Sequence, residues 1–145
     1  MEKREVAIKE LRKDKYRVRE EEMIRKISRE NCKNFVRFLG RAIMADMPDC
    51  LVYEKLGGSL AKFIVKRKLN FSEVMHLSLQ VCDALIDLKR IDLIHYDIKT
   101  ENILIKNEDE LTIKVIDVGA AKDVGENNKK RICDLGEGGQ TRHIR

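Results

Sequence analysis

The sequence predicts an α+β fold in which a small β-rich region precedes a mainly helical one. Short apolar runs bounded by turn residues predict strands at 5–11, 35–44 and 50–54. A charged segment at 16–27 carries apolar residues on one helical stripe, so it predicts a helix between the first two strands. Over residues 74–88, apolar positions recur at helical spacing, which predicts a helix of about five turns with one buried face.

Turn and capping residues place the neighbouring boundaries. A turn is predicted at 46–49, around the chain's one proline, Pro48. Ser59 is the predicted N-cap of a short helix that ends near Lys66, and Ser72 is the predicted start of the long helix. The predicted buried face of the long helix consists of Val74, Leu77, Val81, Ala84, Leu85 and Leu88.

The C-terminal part of the sequence predicts a hairpin followed by a loop. Residues 102–105 and 111–116 are short apolar runs, and the polar residues between them favour a turn. From residue 120 onward the chain is rich in Gly, Lys and Asn and poor in apolar residues, so we expect a mobile loop there.

Composition predicts a folded intracellular protein. The apolar fraction of 43% is too high for a disordered chain. The net charge is +5, but 25 acidic residues are interspersed among 30 basic ones, so we expect a solvated surface and no nucleic-acid partner. No apolar run is long enough to span a membrane, and the first residues lack the apolar core of a signal peptide. Four widely spaced cysteines without a C-x-x-C pair favour reduced thiols, hence the cytoplasm or the nucleus.

Three short motifs stand in a fixed order along the predicted elements. Val-Ala-Ile-Lys at 6–9 lies in the first strand, His-Tyr-Asp-Ile-Lys-Thr-Glu-Asn at 95–102 follows the long helix, and Asp-Val-Gly at 117–119 follows the hairpin. Each motif is weak alone, but their order and the elements between them agree. They resemble the V-A-I-K strand, the H-R-D-x-K-x-x-N catalytic loop and the D-F-G of eukaryotic-type protein kinases. The chain is therefore identified as a member of that family, of the serine/threonine type.

The resemblance implies a lysine–glutamate pair that handles the phosphates of ATP. Lys9 would contact the α- and β-phosphate oxygens and would be held by a glutamate of the following helix. Glu20 suits that position best, since it is in register with the apolar stripe of the helix. Glu21 and Glu22 are adjacent alternatives, because a run of glutamates is also typical of a solvated helix face.

The resemblance also assigns the catalytic loop and the metal ligands. Asp97 would accept or orient the proton of the attacking hydroxyl. Lys99 would contact the transferred phosphate, as in serine/threonine kinases. Asn102 and Asp117 would supply hard oxygen ligands to Mg²⁺.

Further positions in the small lobe, the connector and the hairpin correspond to the adenine site of the family. Ala7 and Leu104 would lie above and below the adenine ring. The connector Tyr53-Glu54-Lys55-Leu56 would be the hinge, whose backbone groups bond the adenine, and Tyr53 falls at the gatekeeper position.

The sequence departs from the family pattern in ways that limit these expectations. No glycine-rich loop precedes Lys9 and no A-P-E follows, so we expect an incomplete two-lobed kinase fold with a partial small lobe at 1–54 and a partial large lobe at 55–145. It would be either a gene fragment or a natural minimal kinase. Tyr96 replaces the arginine of the H-R-D motif, which predicts activity independent of activation-loop phosphorylation. Val118 replaces the phenylalanine of the D-F-G motif.

The function predicted from the sequence is ATP- and Mg²⁺-dependent phosphorylation of serine or threonine in a protein substrate. A catalytically inactive, kinase-like binding module is one alternative, and a small-molecule kinase of related fold is another. We also expect a partner protein to cover apolar surface that the family covers with later helices.

Overall fold

The computed structural model of the chain describes residues 5–11, 16–44 and 47–125. Within these ranges the α+β class is confirmed. The strands are β1 (Val6–Glu10), β2 (Phe38–Met44), β3 (Met47–Glu54), β4 (Leu93–Ile94), β5 (Ile103–Asn107), β6 (Thr112–Val115) and β7 (Lys122–Asp123). The helices are α1 (Tyr16–Arg29), α2 (Leu60–Lys66) and α3 (Phe71–Arg90), and short 3₁₀ turns span Thr100–Asn102 and Val118–Ala120.

The N-terminal part is a three-stranded antiparallel sheet in the order β1-β3-β2. The predicted turn at 46–49 is partly wrong, because β3 already begins at Met47 and contains Pro48. The register explains how a proline is accepted there. Strand β1 pairs with β3 only from Cys50 to Glu54, so Pro48 lies beyond the doubly paired part of the sheet, where a missing N–H costs little.

Helix α1 packs the predicted stripe against this sheet. Met23, Ile24 and Ile27 are buried, and Glu20 lies on the same face of the helix with only 7% of its surface exposed. Met23, Ile24 and Ile27 belong to one hydrophobic cluster that also includes Ala84 and Leu88 of α3. The division into a small lobe at 1–54 and a large lobe at 55–145 stays a prediction. Residues from both parts belong to the same hydrophobic cluster.

Helix α3 begins one residue earlier than predicted, because Asn70 caps it. The Asn70 side chain accepts a hydrogen bond from the Glu73 N–H, and the Glu73 carboxylate accepts one from the Asn70 N–H, both at 2.9 Å. This reciprocal capping box satisfies two otherwise unpaired donors and places Ser72 inside the first turn. Ser59, by contrast, caps α2 as predicted. None of the helices in the described ranges is both long and apolar enough to cross a membrane.

The buried face of α3 is narrower than predicted. Leu77, Ala84 and Leu88 are buried, whereas Val74 and Leu85 are 45% and 42% exposed. The β5–β6 hairpin covers only one side of α3. The Gln80 side chain forms two hydrogen bonds with the backbone of this hairpin. That side chain donates to the Leu111 carbonyl at 2.8 Å and accepts from the Ile113 N–H at 3.0 Å.

The C-terminal part of the described chain is more ordered than the sequence suggested. The β5–β6 hairpin is confirmed. The predicted loop is wrong at Lys122 and Asp123, which pair with Ile94 and Leu93 as a short antiparallel ladder. The rest of that predicted loop, from residue 126, lies outside the described residues.

Two adjacent glycines offer a matched test of how the connector after β3 meets the hairpin. The Gly57 N–H donates to the Ile105 carbonyl at 2.9 Å, and a Cβ at Gly57 would lie 2.8 Å from that same oxygen. A Cβ at Gly58 would have no atom within 4 Å. We expect Gly57→Ala to lower the free energy of unfolding by roughly 1–3 kcal/mol and Gly58→Ala to change it by less than about 0.5 kcal/mol. Thermal unfolding of the two variants checks this, and equal midpoints would contradict the close approach.

Candidate active site

A cavity of about 250 Å³ lies between the N-terminal sheet and the β5–β6 hairpin. Most of the predicted site residues line it, namely Ala7, Lys9, Glu20, Glu54, Leu56, Leu104 and Asp117. Tyr53, the predicted gatekeeper, is also in its wall. Val36 and Ile116 contribute apolar surface that the sequence analysis missed. Ile116 directly precedes Asp117, so its position next to a motif was an available signal, whereas Val36 lies outside every motif.

Lys9 connects two carboxylates at one end of this cavity. Its Nζ atom lies 2.6 Å from Glu20 Oε1 and 2.8 Å from Asp117 Oδ1. Of the three adjacent glutamates, Glu20 is the one that meets Lys9. Glu21 instead accepts from Arg25 at 2.7 Å one turn along the helix, and Glu22 is exposed.

The contacts of Lys9 shift two pKa values in opposite directions. Burial acts to lower the pKa of Lys9, but hydrogen bonds to Asp117 and Glu20 outweigh it, so the pKa is raised. Burial acts to raise the pKa of Asp117, but the hydrogen bond from Lys9 and its charge outweigh it, so this pKa is lowered. Lys9 and Asp117 are therefore both ionised at neutral pH.

A second charged cluster is built within the catalytic loop. The Lys99 Nζ atom lies 2.7 and 3.0 Å from the two carboxylate oxygens of Asp97. The buried Asn102 donates from Nδ2 to the Asp97 carbonyl at 2.9 Å and to its Oδ2 at 2.8 Å. The structure thus gathers Asp97, Lys99 and Asn102 at one point, and the charge of Asp97 reaches Asp117, whose pKa it acts to raise.

Buried His95 connects the two clusters. Its Nε2 lies 3.1 Å from the Ile116 carbonyl, and its Nδ1 lies 3.3 Å from the Asp97 backbone nitrogen. A carbonyl only accepts and an N–H only donates, so the ring is neutral with its proton on Nε2. Burial is the main cause of its lowered pKa, which agrees with the neutral form. His95 therefore links the Asp97 backbone N–H to the carbonyl of Ile116, the residue before Asp117.

The backbone at Asp117 adopts an unusual conformation. Its φ and ψ angles are 61° and 74°, in the left-handed region, and Tyr96 has a φ of 65°. Non-glycine residues in this region are strained and are concentrated at functional sites. The Asp117 carboxylate accepts a hydrogen bond from the Gly119 N–H at 3.4 Å. Val118, which follows, is 2% exposed, so the smaller side chain still fills a buried position.

The segment after Gly119 is attached on two sides. The Lys122 Nζ atom lies 4.5 Å from the centre of the Tyr96 ring, a cation–π contact. The Asp123 carboxylate binds Lys26 of α1 at 2.8 Å. Neither contact is predictable from the sequence, because nothing local marks pairs that are this distant along the chain.

The side chains proposed as Mg²⁺ ligands offer the oxygen atoms that this ion prefers. Asn102 uses Nδ2 on Asp97, which leaves Oδ1 as the acceptor of the amide. The Asp117 side chain is 42% exposed at the cavity. Mg²⁺ typically takes one or two protein oxygens together with phosphate oxygens, and does not need a cage of protein ligands. The described residues contain no group of three or more His, Cys, Asp or Glu suited to hold a metal.

The Lys99–Asp97 contact predicts a measurable change in a pKa. The hydrogen bond from Lys99 is the main cause of the lowered pKa of Asp97, with a smaller contribution from Asn102. We expect Lys99→Met to raise the pKa of Asp97 toward that of an ordinary carboxyl group, still below neutral pH. Carbon NMR titration of labelled aspartate measures this, with Lys62→Met on exposed α2 surface as the control. An unchanged Asp97 titration in Lys99→Met would show that the contact is not formed in solution.

Comparison with known proteins identifies the family. A family model described as protein tyrosine and serine/threonine kinase matches residues 1–140. The chain belongs to the protein kinase family. The predicted family and the partial kinase-like α+β fold are thereby confirmed.

Individual protein kinases are similar over much of this chain. Homeodomain-interacting protein kinase 1 of Caenorhabditis elegans is 35% identical over 127 residues, which is 80% of this chain and 15% of that protein. A probable dual specificity protein kinase YAK1 homolog of Encephalitozoon cuniculi is 30% identical over 81% of this chain and 31% of its own length. A probable serine/threonine-protein kinase yakA of Dictyostelium discoideum is 36% identical over 61% of this chain and 6% of its own length. The chain thus spans less than a third of each, and these kinases support protein kinase function in general.

Proposed function

We propose that this protein transfers the γ-phosphate of ATP to serine or threonine of a protein substrate. The observation that carries the proposal is the placement of Lys9 between Glu20 and Asp117 at the cavity, next to the cluster of Asp97 and Asn102. Phosphoryl transfer depends mainly on positioning and on neutralising charge, and these side chains supply both.

The apolar part of the cavity would hold the adenine ring. Ala7 on β1, Leu104 on β5 and Leu56 in the connector all line the cavity. The Glu54 N–H already donates to the Arg37 carbonyl at 3.0 Å, so a hydrogen bond to the nucleotide from this residue would come from its carbonyl oxygen. Lys9, at the charged end of the same cavity, would bind the phosphates.

In the proposed reaction, Asp97 accepts the proton of the substrate hydroxyl as the hydroxyl oxygen bonds to the γ-phosphorus. The bond from that phosphorus to the bridging oxygen breaks, and ADP leaves. Lys99 offsets negative charge beside Asp97, and its raised pKa keeps it cationic. Asn102 and Asp117 would hold Mg²⁺, which neutralises phosphate charge when it is bound.

Serine/threonine preference is the finer part of the proposal. Lys99, two residues after Asp97, matches the serine/threonine form of the loop. Among the similar proteins, one is named a serine/threonine kinase and another a dual specificity kinase. A labelled-ATP assay on matched peptides that carry serine, threonine or tyrosine tests the preference, and phosphate on the tyrosine peptide at a comparable rate would overturn it.

Nucleotide binding can be tested separately from turnover. We expect Mg²⁺-dependent ATP binding in calorimetry, and Asp117→Ala should abolish its heat because the metal loses its carboxylate ligand. Lys9→Met should weaken binding about 10- to 100-fold, the loss expected for a charge-assisted hydrogen bond to phosphate. Asp83→Ala, on the exposed surface of α3, is the control. If Asp117→Ala and Lys9→Met bind ATP as tightly as the parent and the control do, the nucleotide site lies elsewhere.

A kinase-like binding module without catalysis is the second candidate. The observation that favours it is the exposed apolar surface of α3, where Phe71, Leu79 and Ile86 are 81%, 59% and 63% exposed. Such a surface is typical of a protein interface. ATP binding without turnover on any serine, threonine or tyrosine peptide would select this function over the first.

A further inference from the structure

A second cavity shares part of its wall with the cavity proposed for the nucleotide and has four basic residues and one acidic residue in its lining. Its volume is about 730 Å³, within the range of protein ligand pockets. Val36 and Glu54 belong to the walls of both cavities, so they separate the two. The cationic side chains around it, which we call the basic groove, are Lys33, Arg37, Lys106 and Lys114.

The positive charge of the basic groove is poorly compensated. Among the described residues, none of its four cations forms an ion pair within 4 Å. Glu54 is the one acidic residue in its wall, and its Oε1 already accepts the Arg37 N–H at 2.8 Å. An anion in the groove would therefore meet a net positive charge.

Lys114 and Lys106 concentrate this charge at the hairpin. Strand pairing sets Lys114 opposite Leu104, and Lys106 follows Leu104 by two residues. Burial lowers the pKa of Lys114, and the charge of Lys106 lowers it further. Lys114 is also fixed in place, since its ammonium donates to the Lys33 carbonyl. Two neighbouring cations are thus held at one wall, and Glu54, whose charge acts on Lys114, is the one acidic residue that lines the groove.

We propose that the basic groove binds an acidic peptide segment. A peptide offers carboxylates to the lysines and also backbone N–H donors to Glu54, whereas a phosphate backbone offers acceptors only. The aromatic rings at the groove are unsuited to stack on bases, because Phe35 is 3% exposed and Arg25 lies over Phe38. Exposed aromatic rings are a regular feature of single-strand nucleic-acid sites.

The four cations of the groove are not among the residues proposed for phosphoryl transfer, so peptide binding can be measured without nucleotide. A fluorescein-labelled peptide of Asp, Glu and Leu is titrated with the full chain and followed by anisotropy. The same peptide with Asn and Gln in place of the acids is the reference. We expect the acidic peptide to bind and the Asn/Gln reference peptide not to bind. Binding of the acidic peptide should weaken as salt is added.

The variants distinguish the groove from the overall positive charge. Lys33→Ala with Lys106→Ala should weaken peptide binding about tenfold, since each exposed ion pair contributes modestly. Lys62→Ala with Lys66→Ala removes the same charge from α2, outside the groove, and should have little effect. Lys106→Glu should weaken binding more than Lys106→Ala. Circular dichroism checks that each variant is folded, and all four substituted lysines have exposed side chains.

Two results would overturn the proposal. An equal loss in the α2 control would mean that the peptide responds only to net charge. Tighter binding of a single-stranded oligonucleotide, lost in the Lys33 and Lys106 variant, would mean that the groove serves nucleic acid. Neither result depends on whether the chain transfers phosphate, so the proposed function is judged separately.

Discussion

Asp97→Asn is expected to slow phosphoryl transfer about 100- to 10,000-fold, the range for loss of a general base. Asparagine keeps the size of the side chain and an oxygen that can accept from Asn102, but it cannot take up the hydroxyl proton. ATP binding should stay close to that of the parent, because Asp97 does not line the cavity that contains Ala7, Lys9 and Leu104. Rates from labelled ATP and affinities from calorimetry separate the two effects.

Asp109→Asn is the matched control for this substitution. Asp109 is exposed in the turn between β5 and β6, so the same change of charge there should leave the rate unaltered. Turnover in Asp97→Asn at the rate of the parent would remove Asp97 from the mechanism. Loss of ATP binding in the same variant would indicate that the loop had lost its structure.

The sequence was most informative where a motif lies within one continuous segment. Asp97, Lys99 and Asn102 are close in the chain, so the local path of the loop brings them together. The helical period of α1 also favoured Glu20 over its neighbours, because Glu20 shares a face with Met23, Ile24 and Ile27. In the structure this face turns inward and places Glu20 against Lys9.

Contacts between distant segments were beyond the sequence analysis. Lys26 with Asp123 and Lys122 with Tyr96 form only when the segment after Gly119 folds back on the molecule. Many lysines and acids in the chain could have paired with equal ease, so charge pattern alone could not select these. The cap of α3 was different, since the Asn70-x-x-Glu73 spacing is a recognisable capping-box signal that was available in the sequence.

The apolar pattern of α3 shows why the buried face was predicted too broadly. At 100° per residue, Leu77, Ala84 and Leu88 fall on one side of the helix, and Phe71, Met75, Leu79 and Ile86 fall on the opposite side. The helix is thus apolar on two sides, which is typical of a helix surrounded by other protein. Within the described residues only the first side is packed against the hairpin and the core.

The second side of α3, which we call the outer stripe, predicts the behaviour of the isolated chain. Phe71, Met75, Leu79 and Ile86 form it, and each is at least 45% exposed. Burial of such side chains contributes roughly 1.5–3 kcal/mol each. Against a typical total stability of about 5–15 kcal/mol, the unrealised contribution of the outer stripe is large.

We therefore expect residues 1–145, expressed alone, to associate through the outer stripe or to require a partner that covers it. Light scattering across a concentration series should show mass rising with concentration. Leu79→Glu with Ile86→Glu should restore a monomer, because charges on the stripe oppose its burial. Ser28→Glu with Thr100→Glu adds the same charges at exposed polar positions outside α3 and should leave the association unchanged. A parent chain that stays monomeric throughout and unfolds in one sharp transition would show that it is stable with the outer stripe in water, and that no partner is needed there.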